Sequence, residues 1–253
     1  MVEGFGAVVE YTGITQQATR NIMHDWPTSL DEAEAIQQRL RSQVVTHDDF
    51  GEVRTIAGVD AGYEGDPTAD AGRTLARAAI VVLAFPSLQP LDYAIARRPA
   101  PIPYVPGFLS FREAPAVMAA LAELRVRPDL LICDGQGIAH PRRFGIASHV
   151  GLLAGLPSIG CAKSLLTGHH GPVPNERGAY VPLTYRGEQI GAVLRSRVGV
   201  KPVYISVGHR ISLSSAIHYV MSCTTKYRLP EPTRAADGLA SHGKIPIIAP
   251  PTD

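Results

Sequence analysis

Apolar residues change period along the chain, and each change marks an element. Ala33, Ile36, Leu40 and Val44 recur at helical spacing behind Ser29 and Glu32, a capping-box pair, which predicts a helix over 30–44. The period then shortens. Thr55 to Asp60 (TIAGVD) reads as a short strand, Ala78 to Phe85 (AAIVVLAF) as an apolar β-rich strand, and Leu91 to Arg97 (LDYAIAR) as an alternating one. Asp66-Pro67 and Pro86-Ser87 are turn signals between them, so the three form an antiparallel meander.

The proline-rich run PAPIPYVPG (99–107) is a loop, because four prolines cannot sit inside a regular element. Residues 111–125 and 144–155 read as helices, Asp129 to Asp134 (DLLICD) as a buried strand, and Ser158 to Ala162 (SIGCA) as another. A Gly- and Pro-rich loop over 167–178 precedes two strand-like runs, 189–197 and 203–207. Ser212 caps a helix whose stripe is Leu213, Ala216, Ile217, Val220 and Met221, and a short helix follows Pro230–Pro232. Residues 1–28 show no period, and the Pro-rich tail from Ser241 is expected to fray. Three strands, then helix–strand–helix–strand, is a mixed-sheet α/β pattern.

Composition narrows this reading. In 253 residues, 45% hydrophobic and 19% charged content excludes a disordered chain. Twenty-four basic against 23 acidic residues leave a net charge of +1, which argues against nucleic acid only if the charges are evenly spread. Cys133, Cys161 and Cys223 are far apart and odd in number, so neither a disulfide framework nor a structural zinc is expected, and a reducing compartment fits. The longest apolar stretch, Ala78 to Phe85, is too short for a bilayer, and the first residues lack the pattern of a signal peptide. A soluble cytoplasmic protein is the expectation.

Four acidic residues stand out by position. Asp60 ends a strand run, Glu113 opens a helix just after the proline loop, Asp134 ends the strongest buried strand against Gly135-Gln136-Gly137, and Asp237 lies in the last helix. Carboxylates at a sheet edge suit Mg²⁺, which takes hard oxygen ligands, and a pair of such ions stabilises both the attacking and the leaving oxygen of a displacement. Plainer readings stay open. Glu113 follows Ser110 by three residues and could be a capping-box glutamate; Asp60 and Asp134 could form turns; Asp237 could be a solvated helix carboxylate. Lys163, after SIGCA, could neutralise a phosphate or orient water, or be a surface lysine. His140-Pro141-Arg142-Arg143 suits phosphate contact, or a solvated loop. Tyr104, held between prolines, could wedge into a base stack or pack on its own surface.

Together these segments resemble the endonuclease V family. The resemblance runs from about Trp26 to Ala240 and rests on IAGVDAGY (56–63), PYVPGFLSFRE (103–113), DLLICDGQGIAHPRRFGIASHVG (129–151), SIGCAKS (158–164), PVYISVGHRISL (202–213) and RLPEPTRAAD (228–237). It implies an RNase H-like mixed sheet in one domain over 23–240, with an extension at 1–22 and a tail at 241–253. By position, Asp60, Glu113, Asp134 and Asp237 match metal-binding and catalytic positions, Lys163 the active-site lysine, and Tyr104 the strand-separating wedge. Gly107, Leu109, Gly135, Gly137, His140 and Gly160 fall in segments that form the flipped-base pocket in relatives.

The reaction implied is Mg²⁺-dependent hydrolysis, with Mn²⁺ as a substitute, of the second phosphodiester bond 3′ to deoxyinosine in DNA. It leaves 3′-hydroxyl and 5′-phosphate ends and is carried out by a monomer. Val207 stands where many bacterial relatives carry Pro, as in animal relatives that favour inosine in RNA, so inosine-containing RNA is the alternative substrate. Another RNase H-like nuclease and a non-cleaving inosine-binding module are the rival readings. Arg142, Arg143, Lys163, Arg195, Arg197, Lys201 and Arg210 fall on or beside the loops expected near the site, so the net charge of +1 conceals a local separation of charge.

Overall fold

A computed structural model describes residues 24–65 and 74–247. The extension at 1–22 and the Asp66-Pro67 turn signal lie outside these described residues. The chain begins with α1 (Leu30–Leu40) and a 3-10 turn (Arg41–Gln43), so the expected helix tightens in its last turn. Ser29 caps α1 by accepting from the Glu32 N–H at 3.2 Å.

The three-strand meander is present with longer strands: β1 (Thr55–Glu64), β2 (Leu75–Ala84) and β3 (Pro90–Pro99). After it come α2 (Leu109–Glu123), β4 (Leu130–Cys133), α3 (Ile146–Ala154) and β5 (Ser158–Ala162). The chain then adds β6 (Tyr180–Tyr185), β7 (Glu188–Leu194), β8 (Val203–His209), α4 (Leu213–Ser222) and α5 (Glu231–His242). One eight-stranded sheet runs β3-β2-β1-β4-β5-β8-β7-β6. β1 pairs with β4, and β4 with β5, in parallel; every other pairing is antiparallel. This is the RNase H-like mixed sheet expected.

Alternation along β1 divides the core. Ala57 and Val59 point to the α2 and α3 side, where they meet Ala114, Val117 and Val150. On the opposite face Ile56 joins Ile132, Ile159, Ala216 and Val220 under α4, while Val81 and Leu83 of β2 meet Leu239 and Ala240 of α5. Side chains two apart on a strand share a face. Asp60 therefore shares the α5 face with Gly58, whose missing side chain lets α5 come down onto β1. A Cβ on Gly58 would stand 1.9 Å from the Pro232 carbonyl oxygen.

Several boundaries differ from the sequence reading. Strand β6 was not foreseen: of its six residues only Leu183 is buried, and Pro182 sits in it because it is an edge strand with one free side. It joins β7 through Arg186-Gly187, whose φ angles of 54° and 81° make the two-residue turn that suits the twist of a hairpin. The 189–197 run stops at Leu194, α2 starts two residues earlier than expected, and α5 continues through Ser241 to His242 rather than fraying. Among the described residues no helix is long and apolar enough to cross a membrane.

The seating of α5 gives a stability test. Gly58→Ala is expected to cost about 1–3 kcal/mol in urea unfolding, because the added methyl must push α5 off β1. Gly171→Ala, at a position with nothing within 4 Å, is expected to stay within about 0.5 kcal/mol of wild type. Equal urea midpoints for the two variants would show that the contact carries no load.

Candidate active site

The carboxylates meet because of a register. Val59 of β1 is the partner of Cys133 of β4, so the next residues, Asp60 and Asp134, leave the sheet side by side at the carboxyl ends of two parallel strands. The Asp134 N–H donates to the Val59 carbonyl at 2.9 Å and closes the last rung. Crevices beyond the carboxyl ends of parallel strands are where open α/β sheets bind ligands.

Lys163, one residue past β5, reaches the same place. Its ammonium lies 2.5 Å from Asp134 Oδ2 and 3.7 Å from Asp237 Oδ1 of α5. Partial burial works against that charge, but Asp134, Asp237 and Asp60 outweigh it and hold the Lys163 pKa above its ordinary value. The backbone under Lys163 is pinned twice: Arg228 Nη2 donates to the Lys163 carbonyl at 2.5 Å, and Gln136 Nε2 donates to the Ser164 carbonyl at 3.0 Å.

Glu113 is not a capping residue. Ser110 lies inside α2, with Phe108 as N-cap and no side-chain cap bond, and Glu113 is 7% exposed. The Tyr63 hydroxyl donates to Glu113 Oε1 at 3.2 Å, a partner that the sequence reading did not single out although Tyr63 ends the IAGVDAGY segment. Burial pushes the Glu113 carboxyl up to about 8, with Asp60 and Asp134 adding to it against the Tyr63 bond. Burial likewise pushes Asp60 up to about 7, reinforced first by the Asp134 charge and opposed by Lys163. Asp60, Asp134 and Asp237 are thus crowded around the Lys163 ammonium, while Glu113 feels Arg112.

Among the described residues no three His, Cys, Asp or Glu side chains are arranged as a ready metal cage, and Lys163 takes up Asp134 Oδ2. The donor set nevertheless fits a hard divalent cation. All four groups are carboxyl oxygens, and burial together with neighbouring carboxylates raises the pKa of two of them, Asp60 and Glu113.

Beside the carboxylates opens a cavity of about 340 Å³. Asp134 and Lys163 belong to its wall, as do Tyr104, Gly107, Leu109, Gly135 and His140. Gly137 and Gly160 do not line it. They pack beneath it, where a Cβ on Gly160 would fall 2.4 Å from Gly137 N. Tyr104 keeps half its surface exposed on the rim, and the same cavity is lined by Leu165 and Leu166, two exposed leucines soon after Lys163 whose position only the fold reveals.

The wall is stiff. Gly107 has φ of +88°, which favours glycine, and its carbonyl accepts from Gln37 Nε2 (3.0 Å), His140 Nε2 (3.1 Å) and Arg142 Nη2 (2.9 Å). Since Nε2–H of His140 donates there and Nδ1 accepts from the Arg142 N–H at 3.2 Å, the ring is neutral. Burial, with Arg142 and Arg143 nearby, pushes its pKa down to about 4.

The basic residues divide. Arg142 and Arg143 follow β4, and Arg195, Arg197 and Lys201 follow β7, whose end lies on the same side of the sheet as Lys163. Arg195 spends its guanidinium on the Val173, Pro174 and Val200 carbonyls. Arg210 is a correction: it follows β8 at the opposite end of the sheet, bound to Asp49 and to the Gly155 carbonyl.

Comparison with known proteins agrees with this geometry. The Endonuclease V family model matches residues 38–238. Endonuclease V of Roseiflexus sp. (strain RS-1) is 65% identical over 221 residues, covering 87% of this chain and 96% of that protein. The crystal structure of the endonuclease V of Streptomyces avermitilis superposes with a TM-score of 0.80 at 42% identity, covering 86% of this chain and 94% of that one. Endonuclease V of Ciona intestinalis, crystallised with a 24mer DNA containing an inosine followed by a ribo-adenosine, gives 0.68 at 27% identity over 85% and 97% of the two chains.

The crowded carboxyls have a measurable consequence. Asp60 and Glu113 hold their protons more tightly when folded than when unfolded, so each costs stability as pH rises through its folded pKa. Buried histidines with lowered values work the other way, but only below about pH 6.5. Without divalent cation, the urea midpoint is therefore expected to fall between about pH 6.5 and 8.5, and Asp60→Asn is expected to flatten that fall. A wild-type midpoint that rises over this range would contradict the crowding.

Proposed function

The chain belongs to the endonuclease V family, and from that membership we propose that it is a DNA-repair endonuclease that recognises deoxyinosine and hydrolyses the second phosphodiester bond 3′ to it, leaving 3′-hydroxyl and 5′-phosphate ends. The observation that carries this reading is that one cavity and one carboxylate cluster share Asp134 and Lys163. A base in the cavity and a phosphate at the carboxylates can belong to the same strand. The Ciona intestinalis relative, which was crystallised with inosine-containing DNA, supports the choice of lesion.

The geometry supports a role for each residue. Tyr104, half-exposed on the cavity rim, enters the base stack and helps to separate the strands. Hypoxanthine pairs weakly, so extruding it costs less than extruding a normal base. The stiff wall around Gly107 and neutral His140 receives the base. Lys163 counters charge on the phosphate and pairs with Asp134 beside it. Asp60, Glu113 and Asp134, with Asp237 directly or through water, would hold Mg²⁺ or Mn²⁺. Such an ion supplies charge neutralisation on the phosphate and activation of water. To hold it, Asp60 and Glu113 would have to be ionised, so both residues would give up protons near neutral pH.

Duplexes with one deoxyinosine, incubated with Mg²⁺ or with EDTA, test the reading. Nicking one nucleotide beyond the lesion with Mg²⁺ alone is expected, and intact duplex in both arms would refute it. Binding without nicking would favour the non-cleaving module, and faster cleavage of inosine-containing RNA the alternative suggested by Val207. Asp134→Asn is expected to slow nicking by more than about a hundredfold while sparing binding. Tyr104→Ala is expected to bind inosine and normal duplex with more nearly equal affinity, and unchanged discrimination would rule out the wedge.

A further inference from the structure

The first turn of α2 presents a physical problem. Gly107, Leu109 and Ser110 form part of the cavity wall, yet the helix start has no side-chain cap. The Phe111 N–H is met by the Phe108 carbonyl at 3.1 Å, but without a side-chain cap this start depends on being held from elsewhere. The holding group comes from α3. Ser110 is 3% exposed, and its hydroxyl lies 3.1 Å from Nδ1 of His149. His149 is fully buried in an aromatic cage of Trp26, Phe111 and Phe144. Its Nε2 lies 2.8 Å from Nε2 of His24, and Nδ1 of His24 lies 2.8 Å from the Asp25 carbonyl oxygen.

With both rings neutral, the polarity of this chain is fixed. A carbonyl only accepts, so His24 Nδ1 carries a proton. In a neutral ring Nε2 of His24 is then an acceptor, so Nε2 of His149 must donate to it. That leaves Nδ1 of His149 as an acceptor, and the Ser110 hydroxyl must donate to it. Every group has one assigned role.

We propose that His149 and His24 are positioning residues, a one-way hydrogen-bond chain that holds the first turn of α2 in place and with it the wall of the lesion cavity. The assignment to the lesion rests on the inosine-nicking reading above. Packing alone would not call for imidazole here, since a phenyl ring would fill an aromatic cage without buried polar atoms. Both rings are held below the ordinary histidine value by burial first, and His149 also by His24. The other charged groups acting on His24 are Arg39 of α1, which lowers it, and Asp25, which raises it. A proton added to Nε2 of His24 would set two N–H groups against each other. The His149–His24 bond would be lost unless His149 changed tautomer, which would reverse the Ser110 bond as well.

Imidazole ¹⁵N NMR of the wild-type chain near pH 7.5 reads the polarity directly. His149 is expected to be protonated at Nε2 and His24 at Nδ1, and the opposite tautomers would overturn the proposal. In the inosine-duplex assay His149→Phe, which fills the cage, is expected to raise KM about tenfold, roughly one lost buried hydrogen bond, with kcat within about twofold. His149→Gln, which retains one acceptor and one donor, is expected to recover most of the loss. A KM for His149→Phe equal to wild type would overturn the proposal. Should wild type not nick inosine duplex at all, the functional reading falls while the positioning claim is judged by amide exchange at residues 108–111. Faster exchange in His149→Phe supports it, and unchanged exchange overturns it. If His149→Phe fails to fold, Ser110→Ala cuts the same chain at its other end and is read in the same way.

Discussion

The site depends on two parallel strands held in one register. With Val59 opposite Cys133, Asp60 and Asp134 must emerge together, and neither can retreat from the other because both are bound into the sheet. The remaining features follow from that constraint. Burial and mutual repulsion raise Asp60, Lys163 settles 2.5 Å from Asp134, and α5 brings Asp237 to the same ammonium because Gly58 lets it lie on β1. Slipping β4 by one residue would turn Asp134 to the other face and dissolve the cluster.

A second constraint fixes the cavity wall rather than the charge. The Gly107 carbonyl gathers donors from α1, from His140 and from Arg142, so a proline-rich loop that could be mobile is fastened at its end. Because Asp134 and Lys163 belong both to the cavity wall and to the charged cluster, the cavity and the carboxylates are contiguous. The net charge of +1 conceals this division: acidic groups gather at the strand ends, Arg142 is bonded to the Gly107 carbonyl of the cavity wall, and Arg143 is paired with Glu188 at the start of β7.

Much of this was legible in the chain wherever the signal was local. The helical stripe behind Ser29, the β-rich run AAIVVLAF and the Ser212 cap each depend on neighbours in sequence, and each forms near its expected place. Strand β6 was missed because an edge strand with one buried residue and a proline carries little periodic signal. Arg210 was misplaced because following a strand does not reveal which end of the sheet that strand finishes on. Gly137 and Gly160, which the resemblance places in pocket-forming segments, pack against each other behind the cavity wall, a position that only the fold shows.

By itself the sequence determined the family, through contiguous motifs, and the elements whose hydrophobic period is unambiguous. Tertiary structure alone decided what the polar residues do. Glu113 is three residues from Ser110 and could have capped its helix; burial against Tyr63 makes it part of the site instead. His24 and His149 stand 125 residues apart, and nothing in either neighbourhood announces the other. The reason is physical. Periodicity and capping are set by residues within a turn or two, whereas the pKa of a carboxyl and the direction of a hydrogen bond are set by whatever the fold packs against them.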